Sequence, residues 1–176
     1  MQTFDLKEHT KTGDNLVEID MQGETSLMYR IVARHFQPWK ETTPKQPVVN
    51  VDVAYDRTQL STSDLLHAKA TLKYAGDAPT YMVIVDLGIA PGFTVDAGEF
   101  AEMVAKKQIA KFSVTARQVT LYIGDVKPGE SLSFDYTLKP KYPVRAQAPG
   151  ATAYEYYTPR YRAESRPVEI TVEEKK

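Results

Sequence analysis

Apolar and polar side chains alternate with a period of two through most of this chain, the pattern of half-buried strands. Leu16-Val17-Glu18-Ile19-Asp20-Met21 is the first case. The turn Gln22-Gly23-Glu24 follows, and alternation resumes from Leu27 through Tyr29-Arg30-Ile31-Val32-Ala33-Arg34-His35 to Phe36, so the two runs predict an antiparallel hairpin. The next segment, Gln37-Pro38-Trp39 and on through Lys40 to Pro47, holds prolines and charges without periodicity and predicts a domain boundary. The chain is thus divided into residues 1–40, a linker at 41–47 and a second domain at 48–176.

Beyond the linker, Val48 to Tyr55 sets Val49, Val51, Val53 and Tyr55 on one face. Leu66 to Tyr74 likewise groups Leu66, Ala68, Ala70, Leu72 and Tyr74. Tyr81 to Ala90 is more continuously apolar, which predicts a strand through the middle of a sheet. Lys111 to Ile123 predicts a hairpin, and Ser131 to Leu138, Ala151 to Tyr157 and Val168 to Val172 complete the set. Short strands separated by Gly, Pro and Asp turns point to an all-β, immunoglobulin-like antiparallel β-sandwich. One segment breaks the pattern. From Asp96 to Lys107, Phe100, Met103, Val104 and Lys107 recur at helical spacing, and Asp96 followed by Glu99 predicts a capping box. Glu102 and Lys106 stand four apart with the acid first, so a short α-helix is expected between strands of the sandwich.

Composition narrows the partners more than the fold. The net charge is -1 and the pI about 6.3, which gives no basis for nucleic acid as a partner. No apolar run has the length of a membrane span, and the polar start Met1-Gln2-Thr3-Phe4-Asp5 does not read as a signal peptide. Cysteine is absent, so disulfides, thiolate nucleophiles and thiolate metal sites are all excluded. Eleven tyrosines and eleven prolines fit β structure.

Catalytic patterns are missing as well. His9, His35 and His67 lie far apart and read as satisfied or surface imidazoles. The chain has no Gly-rich phosphate loop, nucleophile elbow or His-Glu-x-x-His motif, so no enzyme, cofactor or metal is expected. Two surface features remain. Tyr154-Glu155-Tyr156-Tyr157-Thr158-Pro159-Arg160-Tyr161-Arg162 concentrates residues that favour binding hot spots. Its structural reading, preferred here, sets Tyr154 and Tyr156 on one strand face where they cap the core. Lys106, Lys107 and Lys111, around the end of the helix, are candidate partner contacts, although cations there also complement the helix dipole.

Tyr81-Met82-Val83-Ile84-Val85-Asp86-Leu87-Gly88-Ile89-Ala90-Pro91-Gly92-Phe93 resembles the alpha-macroglobulin receptor-binding domain, where such a strand leads through a Pro-Gly-Phe turn to a helix. Val119-Thr120-Leu121-Tyr122-Ile123 with Gly124-Asp125-Val126 follows the same family pattern. Leu138-Lys139-Pro140-Lys141-Tyr142-Pro143-Val144-Arg145 and Tyr154-Glu155-Tyr156-Tyr157 continue it in order, over roughly residues 46 to 172. Gly13 to Val17, with Tyr29 to Trp39, resembles the closing strands of the CUB domain that precedes this module.

The resemblance implies a non-catalytic recognition module of a secreted protease trap. It would be exposed to an endocytic receptor or another protein partner after bait cleavage, and located outside the cell, at its surface or in the periplasm. The other domains of the parent are implied partners, and membrane insertion is not. Two receptor-contacting lysines of vertebrate members fall at Ala97 and Ala101, leaving Lys106 and Lys107 as substitutes. A different class of function, a freestanding adhesion or carbohydrate-binding sandwich, would use the Tyr154 to Arg162 patch and would require its rings to be exposed.

Overall fold

The structure, a computed structural model, describes residues 3–23, 28–34 and 48–174. The chain divides into two units, Met1–Trp39 and Lys40–Lys176.

In the first unit the described residues form one 3-10 turn, Lys7–His9, and no strand. The expected hairpin is therefore absent from 16–21 and 28–34, while Leu27, His35 and Phe36 lie outside the described residues. Leu16 is 87% and Met28 96% exposed. Alternation specifies a strand only when a second layer covers its apolar face, and an isolated two-stranded ribbon is marginal in water.

The second unit holds all the strands and the single α-helix among the described residues, in the all-β sandwich that the alternation predicts. One sheet has four strands in the order β1 (Val49–Tyr55), β3 (Leu66–Tyr74), β8 (Ser131–Pro140), β5 (Phe93–Val95). A five-stranded sheet runs β11 (Arg162–Glu164), β10 (Thr152–Glu155), β4 (Thr80–Gly88), β7 (Gln118–Val126), β6 (Lys111–Val114). A three-stranded sheet places β12 (Val168–Glu173) between β2 (Gln59–Ser61) and β9 (Val144–Ala148). All pairings are antiparallel except β2 with β12.

Side-chain alternation explains the core. Leu66, Ala68, Ala70, Leu72 and Tyr74 of β3 all point inward, as expected, and are buried beside Phe134, Tyr136 and Leu138 of β8. The facing sheet contributes Val83, Val85 and Leu87 of β4 with Val119, Leu121 and Ile123 of β7. Leu60, Ile170 and Val172 bring the three-stranded sheet into the same cluster. The apolar strand β4 is indeed central in its sheet, where both faces need apolar side chains near its middle.

Helix α1 (Ala97–Ala105) connects β5, an edge of one sheet, to β6, an edge of the other, and packs on β6 and β8. Its Phe100 is fully buried, with ring centroids 5.7 Å from Phe112 and 5.8 Å from Tyr136. Such tilted aromatic contacts add about 0.5–1.5 kcal/mol each beyond area burial. Asp96 caps the helix, its Oδ1 accepting the Gly98 N–H at 2.8 Å. The expected capping box is only half formed. Strand β5 ends opposite Leu138, and Glu99, instead of reaching back, accepts the Thr137 N–H and hydroxyl of β8, each at 2.6 Å. Glu99 thus supplies the acceptor that one more residue of β5 would have offered.

Candidate functional site

The helix ends in a motif that fixes Lys106 and Lys107. Lys107 N–H donates to the Val104 carbonyl and Gln108 N–H to the Met103 carbonyl, both at 2.9 Å, which is the Schellman pattern. Lys107 takes the left-handed position with φ 57°, a place that favours glycine. It therefore lies beyond the helix, not on its face as the spacing predicted. Lys106 Nζ pairs with Glu102 Oε2 at 2.9 Å, an exposed i,i+4 pair. Half of the candidate charge at this end is thereby offset by a neighbouring carboxylate.

Lys111 belongs to a different surface. It opens β6, and its ammonium lies 5.5 Å from the centroid of the Tyr122 ring on β7. Strand register extends this contact into a row across the outer face of the five-stranded sheet: Lys111, Tyr122, Ile84, Tyr154, Arg162. The row is symmetric in chemistry, because the Arg162 guanidinium lies 5.8 Å from the Tyr154 centroid at the other end. Ile84 in the middle is 4% exposed yet stands outside the core cluster. The two flanking tyrosines, one on each neighbouring strand, shield it on the outer face.

A polar row runs alongside, from Ser113 through Thr120 and Asp86 to Thr152 and Glu164. Thr120 Oγ1 donates to Asp86 Oδ1 at 2.6 Å and Gln118 Nε2 donates to the same oxygen at 3.1 Å. The Tyr154 phenol is pushed up by partial burial and by the Asp86 carboxylate, against a downward pull from Arg162. Electrostatically the face has Lys111 at one lateral end, Arg162 beside the Glu164 carboxylate at the other, and the Asp86 carboxylate near its centre.

The tyrosine-rich segment departs from its expected role. Strand β10 stops at Glu155, so Tyr156 and Tyr157 fall in the turn that follows and are 49% and 69% exposed. Tyr156 does not cap the core; it continues the outer face, held by its N–H on the Met82 carbonyl at 3.0 Å. The two rings meet edge to face at 5.1 Å. Tyr154 is half-buried on the outer face rather than in the core, and Arg160 stacks on half-buried Tyr161 at 5.2 Å. Tyr122, Ile84 and Asp86 were missed as surface residues because only strand register shows which face they join. Their one sequence signal was parity: each lies an odd number of residues from the inward-facing Leu121 and Val85.

Elsewhere, His67 is exposed, with Nδ1 3.5 Å from Thr137 Oγ1, and no group of three or more Asp, Glu or His converges as a metal site among the described residues. None of the described helices is long and apolar enough to cross a membrane.

Residues 78–166 match the family model described as the A-macroglobulin receptor binding domain. No curated protein matches the chain. Its fold is similar to that of trypsin-activated alpha-2-macroglobulin from Escherichia coli, with a TM-score of 0.59 and 14% identity over 71% of this chain. Salmonella alpha-2-macroglobulin reacted with methylamine aligns with a TM-score of 0.60 and 15% identity over 77% of this chain. The native conformation of the E. coli protein aligns at 0.61 and 15% identity over 78%. In each of these the matched region is 10% of the solved chain, so the present chain spans about a tenth of their length.

Proposed function

Since the chain belongs to the A-macroglobulin receptor binding domain family, we propose that it is the non-catalytic recognition module of an alpha-macroglobulin-type protease trap, exposed to a receptor or protein partner after bait cleavage. The family match over 78–166 carries this reading, because that span includes β4, α1, β7 and the β10–β11 hairpin, which together build the outer face and the lysine-bearing helix end. At these levels of identity the solved relatives support the fold, and the trap mechanism is taken from the family.

Under the same proposal the module works outside the cytoplasm, in the periplasm or extracellular space, and meets the other domains of its parent as well as any endocytic receptor. Residues 1–40 are read as the closing part of a CUB-like domain and 41–47 as its connection to the module. That assignment accounts for alternation without strands in the described residues, because those segments would need the remainder of their sheet. Lys106 and Lys107 are the proposed receptor contacts at the helix end. The outer face, by contrast, suits a larger protein surface.

The native gene product, probed with an antibody against this module, tests the reading. A product far larger than 19.8 kDa that captures added trypsin is expected. A product of 19.8 kDa refutes the trap assignment and favours the freestanding binding module, for which the exposed rings of Tyr156 and Tyr157 would supply the contact.

A further inference from the structure

We infer that β12 is an exchangeable strand, and that the slot it fills between β2 and β9 accepts β12 from a second copy of this chain. Sheet order carries the first argument. Among the described residues β2 and β9 each pair with β12 and with no other strand. Gln59, Leu60 and Ser61 stand against Thr171, Val172 and Glu173 on one side, and Val144 to Ala148 run antiparallel to Val172 to Val168 on the other. Two further backbone bonds lengthen the β2 side, from the Thr171 N–H to the Thr58 carbonyl at 2.9 Å and from the Thr62 N–H to the Glu173 carbonyl at 3.0 Å. Withdrawing β12 leaves a gap one strand wide, about 10 Å between β2 and β9, with unpaired N–H and carbonyl groups on both walls. Only an extended segment pairs both walls at once.

Side chains decide which segment fits. Ile170 and Val172 are 0% and 3% exposed and join the core cluster with Leu60, and Val168 packs half-buried against it. The wall opposite them is small: Ala148 faces Val168, and Ala146 faces Ile170. Large residues of β12 thus fill the space that the alanines of β9 leave. A slip of one residue would undo the match by turning Glu169 and Thr171 inward. From the solvent side Arg145 Nη2 donates to Glu169 Oε1 at 2.9 Å, which supports the same register. A second copy supplies all of these features unchanged, and a net charge of -1 scarcely opposes the approach of two copies.

The hinge favours exchange over simple fraying. Ser165 is held in place, because its N–H donates to the Ala151 carbonyl and its Oγ accepts from the Ala151 N–H, both at 2.8 Å. Arg166 and Pro167 alone separate this fixed point from Val168. Pro167 has no N–H to anchor the entry of the strand, and it keeps the residue before it in extended backbone. A released β12 is therefore directed outward by a short, stiff hinge, the circumstance that promotes swapping between copies. Because the exchanged contacts equal the original ones, the two forms balance where the concentration of copies matches that of the tethered strand, on the order of millimolar.

Cysteine is absent from the chain, so introduced thiols report the exchange without background. Gln147 and Glu169 are exposed and directly opposite one another on β9 and β12. A Gln147→Cys chain and an isotopically heavy Glu169→Cys chain are mixed at about 1 mM, warmed to just below the melting temperature and cooled. They are then diluted to about 10 µM and joined with a short bis-maleimide, which favours thiols held together in one dimer over chance encounters. Mass spectrometry is expected to find position 147 of light chains linked to position 169 of heavy chains, in a dimer resolved by sedimentation. That link should be at least about tenfold more frequent than one from Gln147→Cys to a heavy Ser113→Cys chain, whose exposed thiol on β6 measures random collision. Should Glu169→Cys fold poorly, Gln59→Cys with Thr171→Cys repeats the measurement on the β2 side. A chain that stays monomeric at about 1 mM overturns the exchange. So does a dimer in which the 147-to-169 link is no more frequent than the link to Ser113→Cys.

Discussion

Glu99→Ala should loosen the module more than any other substitution of an acidic residue on α1. The Glu99 carboxylate accepts the Thr137 N–H and hydroxyl at 2.6 Å each, where β5 has already ended. Hydrogen bonds to a charged acceptor contribute about 1.5–3 kcal/mol each, and both Glu99 and Thr137 are only half-buried, so the lower end of the range applies. The alanine variant also leaves a half-buried N–H without its acceptor. A loss of about 2–4 kcal/mol is therefore expected, or about 5–12 °C in melting temperature for a chain of this size. Glu99→Gln keeps one acceptor oxygen and gains a donor for the Thr137 hydroxyl, and should lose only about 1 kcal/mol. Glu102→Ala supplies the scale, because it removes an exposed i,i+4 pair with Lys106 that is worth about 0.3–0.5 kcal/mol. Urea titrations followed by far-ultraviolet circular dichroism measure all three, with an unchanged slope expected. If Glu99→Ala falls within 1 kcal/mol of Glu102→Ala, the helix is held by Phe100 and Met103 alone and the anchoring role assigned to Glu99 is wrong.

Four further outcomes follow from the geometry. A Cβ on Gly150 would collide with the Ser165 carbonyl oxygen, so Gly150→Ala must part the open end of the β10–β11 pair, at a cost above about 3 kcal/mol in urea titration or with loss of soluble protein. Lys107→Gly relieves a left-handed residue and should stabilise by about 0.5–1 kcal/mol, visible as a higher melting temperature, even if it weakens a receptor contact. The Tyr136 hydroxyl is buried, and among the described residues it faces the Tyr55 hydroxyl in a hydrogen bond too poorly aligned to satisfy it. Tyr136→Phe should accordingly be neutral or stabilise by up to about 1.5 kcal/mol, and a loss of more than about 1 kcal/mol would show that the hydroxyl is satisfied. Slight burial raises the Asp56 carboxyl, but the His67 N–H and the Arg57 guanidinium outweigh it and hold the group below its ordinary value of 3.8. A lowered folded-state pKa contributes stability above the unfolded value that is lost as pH falls through the folded one. Asp56→Asn should therefore be less stable than the parent at pH 7, and the difference should vanish in acid.

Long-range layout was legible where burial is one-sided and strands are long. The inward sets of β1 and β3, the central place of β4 and the helix at 97–105 all follow from periodicity. Strands β2, β5 and β11 have three residues each, too few to show a period, and β2 is defined by a parallel partner far along the chain. The hairpin expected in 16–36 shows the converse, a pattern without the sheet that would make it a strand. Lys106, Lys107 and Lys111 were visible as charges, but only register separates Lys111 from the other two and joins it to Tyr122 and, across the sheet, to Arg162. Glu99 was read through its nearest neighbours in sequence, whereas its partner Thr137 is 38 residues away.

The placing of β12 between β2 and β9 has a consequence for how the protein is made. Gln59 of β2 pairs with Thr171, so this strand has no sheet partner until residues 168–173 have been added. With about 110 residues between them and synthesis at roughly 5–20 residues per second, β2 waits some 6–20 s for its neighbour. The four- and five-stranded sheets lack nothing beyond β11 and assemble in that interval, so this third sheet is the last to close. During that time the nascent chain exposes Leu60, and once residue 148 is in place the edge of β9 as well, to chaperones and proteases alike.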